Sequence, residues 1–201
     1  MEGGTLSFRI EEKVVVTTNE LFRISARLRS EGMESLYPAR RISSVYFDSR
    51  TNGMFVDSEE GSLPRKKLRI RSYDQHNSFA NLETKISSTE GRFKTSQSLT
   101  KDQCTRLLNN GLVDARYGFC QPRVEVSYTR KYFQFSGVRI TFDTNICYKK
   151  IKTLIQAADS LNVMEIKAPV GTNSDFLLRL IGEPRRRFSK FSRAFVLTGI
   201  I

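Results

Sequence analysis

The chain has 201 residues, 39% of them hydrophobic, and its 33 lysines and arginines exceed its 21 aspartates and glutamates by a formal net charge of +12. This hydrophobic fraction is enough for a folded core and excludes the class of disordered tail proteins. The length predicts a single domain over residues 1–201. The positive charge favours a polyanionic partner, which could be nucleic acid, an acidic membrane or a phosphate-rich small molecule.

The first half of the chain is predicted to hold five strands and one helix. A strand at 6–16 precedes a helix at 18–30, with Thr18 placed as its N-cap and apolar residues on one face. Polar and apolar residues then alternate between clusters of turn residues, which is typical of antiparallel strands and hairpins. These strands are placed at 41–48, 63–74, 79–87 and 91–98.

The second half is predicted to hold three more strands and three helices. A helix at 100–110 lies between Thr100 and Gly111, which suit its two caps. The strands are placed at 122–135, 137–145 and 162–168, and the last two helices at 173–181 and 187–198. Mostly antiparallel strands with a few peripheral helices predict an α+β fold whose sheet curls or closes into a barrel.

Basic residues follow the strand period in the segment LPRKKLRIRSYD at 63–74. One predicted face carries Arg65, Lys67, Arg69, Arg71 and Tyr73, and the other carries Lys66, Leu68 and Ile70. A single strand of this kind is typical of a solvated sheet surface. Because long basic side chains and apolar neighbours alternate in six segments, the pattern indicates either a barrel with a charged interior or a sheet with one wet face.

Carboxylates share these strands with the cations. Glu11, Glu83, Glu125, Asp143 and Glu165 all lie on predicted strands that also carry lysine or arginine. A groove that binds only nucleic-acid phosphates gains nothing from such acids, because they repel the backbone that it must hold. The interleaving favours oxygen ligands for Mg²⁺ or Mn²⁺ beside cations that bind phosphate. Cross-strand ion pairs on a solvated surface are the alternative interpretation.

Nine short segments, in order along the chain, resemble the VTC domain. They are ExK at Glu11 to Lys13, SVYFDS at 44–49, RIR at 69–71, ETK at 83–85, RFK at 92–94, the pair Tyr128 and Arg130, VRITFDT at 138–144, MEIK at 164–167 and RFSKF at 187–191. The VTC domain is the polyphosphate polymerase domain of the vacuolar transporter chaperone complex. It is a branch of the triphosphate tunnel metalloenzymes, which also include CYTH-type phosphatases.

The resemblance implies an eight-stranded antiparallel tunnel, closed as a barrel, that holds triphosphate or polyphosphate together with Mn²⁺ or Mg²⁺. It assigns the metal to Glu165, with Glu11 as a second carboxylate. The phosphate-binding residues that it implies are Lys13, Arg69, Arg71, Lys85, Lys94, Arg123, Arg130, Arg139, Arg187, Ser189 and Lys190. Of these, Arg69, Arg71 and Lys190 are also assigned to catalysis.

Two of these positions carry a reservation. Arg187 stands where the family usually has a lysine, and an arginine still binds phosphate, through two hydrogen bonds. Arg123 and Arg130 are alternatives for one binding position, because the sequence does not show which of them faces inward.

Three functions of different classes fit this resemblance. The first is a polyphosphate polymerase or related phosphotransferase, which passes the γ-phosphoryl group of ATP or another nucleoside triphosphate to polyphosphate. The second is a hydrolase of tripolyphosphate or nucleoside triphosphates, and the third is a non-catalytic module that binds polyphosphate. The RFSKF segment favours the polymerase branch, and no nucleic-acid partner is expected.

Other features are interpreted without a functional role. No segment has the length and apolarity of a signal or spanning helix, which predicts a cytoplasmic chain whose recruitment to a membrane would need a partner, such as a separate channel protein. His76 is interpreted as a loop residue and Cys104 as core packing. The aromatic residues Tyr46, Phe47, Tyr73, Tyr128 and Phe142 are expected to fill the core more often than to stack on a nucleobase.

Overall fold

The computed structural model describes residues 9–74, 80–182 and 188–201 of the chain. Within them lie ten strands and five helices, an α+β arrangement. The strands are β1 (Arg9–Val16), β2 (Glu34–Ser49), β3 (Arg65–Tyr73), β4 (Ala80–Ser88), β5 (Gly91–Leu99), β6 (Leu112–Asp114), β7 (Gly118–Phe135), β8 (Val138–Lys150), β9 (Gln156–Ala158) and β10 (Asn162–Pro169). The helices are α1 (Thr18–Ser30), α2 (Gly53–Glu60), α3 (Lys101–Asn110), α4 (Ser174–Ile181) and α5 (Lys190–Leu197).

The strands form one hydrogen-bonded sheet in the order β1-β10-β8-β7-β2-β3-β4-β5, with β6 beside β7 and β9 beside β8. This path is linear among the described strands, so the prediction of a closed barrel is wrong. Closure would require β1 and β5, the two ends of the path, to pair with each other. The edge strand β5 has the polar, largely exposed sequence GRFKTSQSL, and lysine and arginine at a sheet edge oppose further strand pairing.

The chain is divided into two compact units, each built from three segments. Unit 1 consists of the described parts of Met1–Ala39, Thr129–Thr144 and Ser160–Phe188. Unit 2 consists of the described parts of Arg40–Tyr128, Asn145–Asp159 and Ser189–Ile201. That the whole chain is one domain stays a prediction.

Unit 1 has an apolar face covered by helices. Alternate residues of β1, β8 and β10 are buried together with residues of α1 and α4, among them Val14, Ile140, Ile166, Leu28 and Leu180. Helix α1 covers the predicted residues 18–30, but Thr17 rather than Thr18 is its N-cap. The Thr17 hydroxyl accepts from the Glu20 amide, and the Glu20 carboxylate accepts from the Thr17 amide at 2.6 Å. The opposite face of these strands carries most of their charged residues, among them Glu11, Lys13, Glu165 and Lys167.

Unit 2 contains the hairpins of β3, β4 and β5, paired with β2. Helix α5 begins at the N-cap Ser189 and buries Phe191 and Phe195, whose rings pack against Phe55 of α2.

The sequence did not predict α2, β6, β9 or the first residues of β2. The N-cap of α2, Asn52, makes no side-chain capping bond. Instead the Asp48 carboxylate accepts from the Met54 and Phe55 amides at 2.9 Å.

None of the helices in the described ranges is long and apolar enough to cross a membrane.

Candidate functional site

Strand β3 lies between β2 and β4 in unit 2, and we call the face that carries Arg69 and Arg71 its basic face. The strand register places Arg69 opposite Tyr46 of β2 and opposite Glu83 of β4. Side chains of directly opposed residues lie on the same face of an antiparallel sheet, so these three groups meet. Leu68 and Ile70, on either side of Arg69 along the strand, are buried at 4% exposure each. Arg69 itself is 7% exposed, so the two faces of β3 differ there in residue type rather than in burial.

Glu83 is the centre of the charged cluster on this face. Its side chain is 2% exposed and its Oε2 accepts from both Nε and Nη2 of Arg69, the first at 2.7 Å. Its other oxygen, Oε1, accepts from Lys94 Nζ at 2.6 Å, and Arg71 Nη1 lies 3.9 Å from Oε2. One buried carboxylate thus faces three cationic side chains, which leaves this cluster with a net positive charge.

The cluster shifts the pKa values of its two acidic groups downward. Burial acts to raise the pKa of Glu83, but Arg69, the hydrogen bond from Lys94 and the charge of Arg71 lower it to about 2. Burial likewise acts to raise the pKa of Tyr46. The nearby charges of Arg69 and Arg71, the hydrogen bond from Arg69 at 2.9 Å and the charge of Lys67 lower that pKa to about 7. Such shifts indicate a field that attracts anions.

The segment at the start of α5 contacts the same face. Lys67 Nζ donates to Ser189 Oγ at 3.1 Å and lies 5.1 Å from the ring centre of Phe191. Lys190 Nζ lies 4.6 Å from the ring centre of Tyr128, whose hydroxyl accepts from Arg71 Nη2 at 3.2 Å. The structure therefore brings Ser189 and Lys190, two of the predicted phosphate-binding residues, to the basic strand.

Three lysines form a row across the sheet, which we call the lysine row: Lys67 of β3, Lys85 of β4 and Lys94 of β5. The register pairs Lys67 with Lys85 and Lys85 with Lys94. Like charges directly opposite on neighbouring strands destabilise a sheet. A bound polyanion would remove that repulsion, so the lysine row is the arrangement expected of a phosphate-binding surface.

The polar face of unit 1 carries alternating charges in two cross-strand rows. One row consists of Lys13, Glu165 and Thr141, and the other of Glu11, Lys167 and Arg139. Lys13 Nζ lies 2.5 Å from Glu11 Oε1, and Lys167 Nζ lies 3.2 Å from Glu165 Oε1. Both of these pairs lie within one strand. The cross-strand ion pairs of the alternative interpretation, Lys13 to Glu165 and Lys167 to Glu11, are longer, at 4.0 Å each. The Glu165 side chain is only 8% exposed, so its carboxylate does not lie on a fully solvated surface.

Arg130 adds a buried ion pair to this face. Its Nε and Nη2 donate to the two oxygens of Asp143 at 2.5 and 2.7 Å, and Nη2 also lies 3.7 Å from Glu165 Oε2. Burial acts to raise the pKa of Glu165, whereas Arg130, Lys13 and Lys167 lower it to about 2. The Glu165 carboxylate is consequently ionised at neutral pH, as a metal ligand must be.

The carboxylates of unit 1 suit one type of metal site. No group of three or more His, Cys, Asp or Glu side chains that could hold a metal occurs among the described residues, so an all-protein cage is absent from them. Mg²⁺ and similar ions are held by one or two carboxylates together with phosphate oxygens. Glu165 and Glu11 fit that requirement. Moreover, Thr141 Oγ1 beside Glu165 is buried and has no hydrogen-bond partner within the described ranges.

The structure separates the two arginines that the sequence left as alternatives. Arg130 lies beside the Glu165 and Asp143 carboxylates of unit 1. Arg123 lies in unit 2, where its charge acts to lower the pKa of Asp48, although burial leaves that pKa raised. Arg130 is therefore the one placed with the predicted metal carboxylates.

Some predictions lie outside the described residues or differ from what is found. Arg187 and His76 fall in the undescribed ranges 183–187 and 75–79. Cys104 is half-buried rather than part of the core, since α3 buries none of its residues fully. Tyr46, Phe47, Tyr128 and Phe142 are buried as expected. The roles of the Tyr46 and Tyr128 hydroxyls were missed, because they depend on the register between strands far apart in sequence.

The family model of the VTC domain matches residues 8–118 and 114–197 of this chain. The chain therefore belongs to the VTC domain family. No curated protein sequence is significantly similar to it.

Solved structures with a similar fold include two cyclase-type proteins. A putative adenylate cyclase from Bacillus halodurans has a TM-score of 0.64 at 14% identity, over 94% of this chain and 98% of that one. A putative adenylyl cyclase from Hippeastrum, described as having a dominant triphosphatase activity, has a TM-score of 0.56 at 15% identity, over 94% of this chain and 96% of that one. At these identities the likeness concerns the fold.

Proposed function

We propose that this chain is a metal-dependent phosphotransferase that binds the triphosphate of a nucleotide and inorganic polyphosphate or tripolyphosphate. The observation that carries the proposal is the basic face of β3 in a chain of the VTC domain family. There Arg69, Arg71 and Lys94 face one carboxylate, Glu83, and Lys67 and Lys85 lie in the same cross-strand row as Lys94. A surface with this excess of positive charge is stabilised by an anion that carries several charges.

The residues of unit 2 supply phosphate binding in this proposal. Arg71 is 11% exposed and oriented by Ser44 and Tyr128, so its remaining N–H groups can hold a phosphate oxygen. The lysine row and Lys190 act as point charges along a chain of phosphates. Arg69, which is bonded to both Glu83 and Tyr46, contributes its charge and keeps Glu83 in place.

The residues of unit 1 supply a metal site. Glu165 and Glu11 would hold Mg²⁺ or Mn²⁺, with Lys13, Lys167, Arg130 and Arg139 close to the anions that accompany it. When bound, such an ion neutralises negative charge on phosphate oxygens during phosphoryl transfer. The buried Arg130 to Asp143 pair fixes the guanidinium beside Glu165 and so sets where that carboxylate points.

The favoured reaction is polyphosphate synthesis. The terminal oxygen of a polyphosphate chain attacks the γ-phosphorus of ATP or another nucleoside triphosphate, the bond to the β-phosphate oxygen breaks, and the nucleoside diphosphate leaves. Membership of the VTC domain family supports this acceptor.

Hydrolysis is the second candidate, in which water takes the place of the acceptor chain. It is favoured by the triphosphatase activity described for the Hippeastrum neighbour. A module that binds polyphosphate without turnover is the third. A cytoplasmic location and a membrane channel partner stay predictions.

One experiment separates the three. The purified chain is incubated with ATP and Mn²⁺ or Mg²⁺, and the products are resolved on a polyphosphate gel beside an assay for free phosphate. Long chains indicate a polymerase and free phosphate alone indicates a hydrolase. Neither product, with tripolyphosphate still bound in calorimetry, indicates a binding module, and loss of binding as well would refute the proposal.

A further inference from the structure

The loop between β8 and β9, residues 151–155, together with the last residues of β8 combines positive charge with exposed aliphatic side chains. Leu154 is 98% exposed and Ile155 is 48% exposed. Lys149 and Lys152 are also exposed, and Lys150 donates to the Gly199 carbonyl at 3.1 Å. We call residues 149–155 the lysine-leucine loop. It belongs to unit 2 and lies outside the sets of residues assigned above to phosphate and metal binding.

The loop is held in one shape by its own hydrogen bonds. The Lys150 amide donates to the Ile155 carbonyl at 2.9 Å, and the Ile151 amide donates to the Arg123 carbonyl at 2.9 Å. Thr153 Oγ1 donates to the Lys150 carbonyl at 3.1 Å and accepts from the Ile155 amide at 3.2 Å. These bonds hold Leu154 in a defined turn with its side chain exposed to solvent. An exposed leucine gains no burial energy in the free protein that would offset the entropy lost in ordering this turn.

The charge around the loop has one sign. Residues 145–158 contain three lysines and no aspartate or glutamate, and the neighbouring segment 188–201 contains Lys190 and Arg193 but again no acid. Asp159, the acidic residue that next follows the loop in the sequence, has a fully buried side chain bonded to Arg193 and Tyr148. Such a surface attracts an anionic partner.

We propose that the lysine-leucine loop docks on an anionic lipid bilayer, with Leu154 and Ile155 entering the interface and the lysines lying at the headgroups. A soluble polyanion such as polyphosphate would match the lysines but would gain nothing from an exposed leucine. Aliphatic side chains beside several lysines are the combination that gives reversible binding to acidic membrane surfaces. This docking is independent of phosphoryl transfer, because none of these residues is assigned to that chemistry.

The test is sedimentation of the purified chain with vesicles of equal parts phosphatidylserine and phosphatidylcholine, beside vesicles of phosphatidylcholine alone. Each lysine at an anionic surface contributes about fivefold to affinity, so the triple variant K149Q/K150Q/K152Q is expected to bind the acidic vesicles about a hundredfold more weakly. Leu154→Ser is expected to lose about tenfold. Binding should also fall as salt is raised.

Two control variants remove an equal number of positive charges, or one exposed aliphatic side chain, at sites outside the lysine-leucine loop. R23Q/K101Q/R106Q takes three exposed cations from α1 and α3, and Val113→Ser changes another aliphatic residue that is 79% exposed. Both are expected to bind vesicles within about twofold of the unchanged chain. The proposal is overturned if the chain does not bind acidic vesicles, if the control triple variant loses as much binding as the loop variant, or if Leu154→Ser binds unchanged.

Discussion

Replacing Glu83 by glutamine tests whether this carboxylate is the internal counterion of the basic face. The substitution keeps the size of the side chain and removes its charge. Arg69, which is 7% exposed, would lose its ionised partner, and Lys94 and Arg71 would lose a neighbouring anion. A buried cation without its partner is strongly destabilising.

The magnitude follows from the pKa of Glu83, which the surrounding cations lower from 4.5 to about 2 despite the opposing effect of burial. That depression corresponds to about 3 kcal/mol of folding free energy at neutral pH. Because the folded-state pKa lies below the unfolded one, this stabilisation is complete well above pH 4.5 and is lost as the pH falls toward 2. Glu83→Gln should therefore lower the free energy of unfolding at pH 7 by about 3 kcal/mol.

The assay is urea unfolding of both proteins between pH 7 and pH 4. Over that interval the difference between them should narrow by about 0.8 kcal/mol, because the unfolded glutamate begins to take up protons and the folded one does not. Glu90→Gln, at the exposed turn of the same hairpin, is the control and is expected to change stability by less than about 0.5 kcal/mol.

Repeating the urea unfolding in the presence of tripolyphosphate connects this prediction to phosphate binding. Tripolyphosphate supplies negative charge to the same cations, so it should stabilise Glu83→Gln more than it stabilises the unchanged chain. Equal stability of Glu83→Gln and the unchanged chain at pH 7 would refute the reasoning. So would a stability difference that does not change with pH.

Four further substitutions test the assigned residues. Glu165→Gln is expected to lower metal-dependent turnover of ATP by about a hundredfold or more. Tripolyphosphate binding, measured by calorimetry in the presence of a chelator, should persist. An equal loss of turnover and of binding would mean that Glu165 only supports a neighbouring cation. Arg71→Ala should weaken tripolyphosphate binding by roughly 1.5 to 3 kcal/mol, and it should lower stability less than Arg69→Ala does, because within the described residues Arg71 bonds only the Ser44 and Tyr128 hydroxyls and lies 3.9 Å from Glu83. Arg69→Ala should reduce both binding and stability, because its guanidinium is bonded to two buried groups, and a loss of stability alone would make Arg69 purely structural. Tyr46→Phe should remove a tyrosinate absorbance step near pH 7, because the pKa of Tyr46 is lowered to about 7; persistence of the step would assign it to another tyrosine.

The period-two pattern of the sequence was sufficient to place most strands, and the reason is visible in β3. Leu68, Arg69 and Ile70 are all buried, but Arg69 and Arg71 share the face of the charged cluster while Leu68 and Ile70 lie on the other face, so the side of the strand follows the alternation of residue types. Strands with two distinct faces can be recognised without knowledge of their partners. The helix α2 has no such clear signal, since its capping carboxylate, Asp48, comes from the preceding strand.

The partners within the site could not be predicted, because they depend on cross-strand register. The sequence placed Glu83 and Arg69 on strands of the same hairpin but did not show that they are directly opposed. It also treated Tyr46 as core, which its burial supports, without indicating the hydrogen bond from Arg69. A shift of one residue in either pairing would place these side chains on opposite faces of the sheet.

The acids among the cations differ in their contacts, whereas the sequence left metal binding and cross-strand ion pairing as alternatives for all of them. Glu83 is bonded to a guanidinium and an ammonium group, so its charge is already used to hold the basic face together without ligand. Glu165 has only longer contacts, at 3.2 Å to Lys167 and 3.7 Å to Arg130, and lies beside the unpartnered Thr141 hydroxyl of the described region. A carboxylate with close, saturated hydrogen bonds can accept a metal only by losing them, whereas one held by looser contacts can exchange a lysine for a cation at smaller cost. We therefore propose Glu165 as the metal ligand, and we expect the charge of Glu83 to limit how strongly the basic face attracts phosphate.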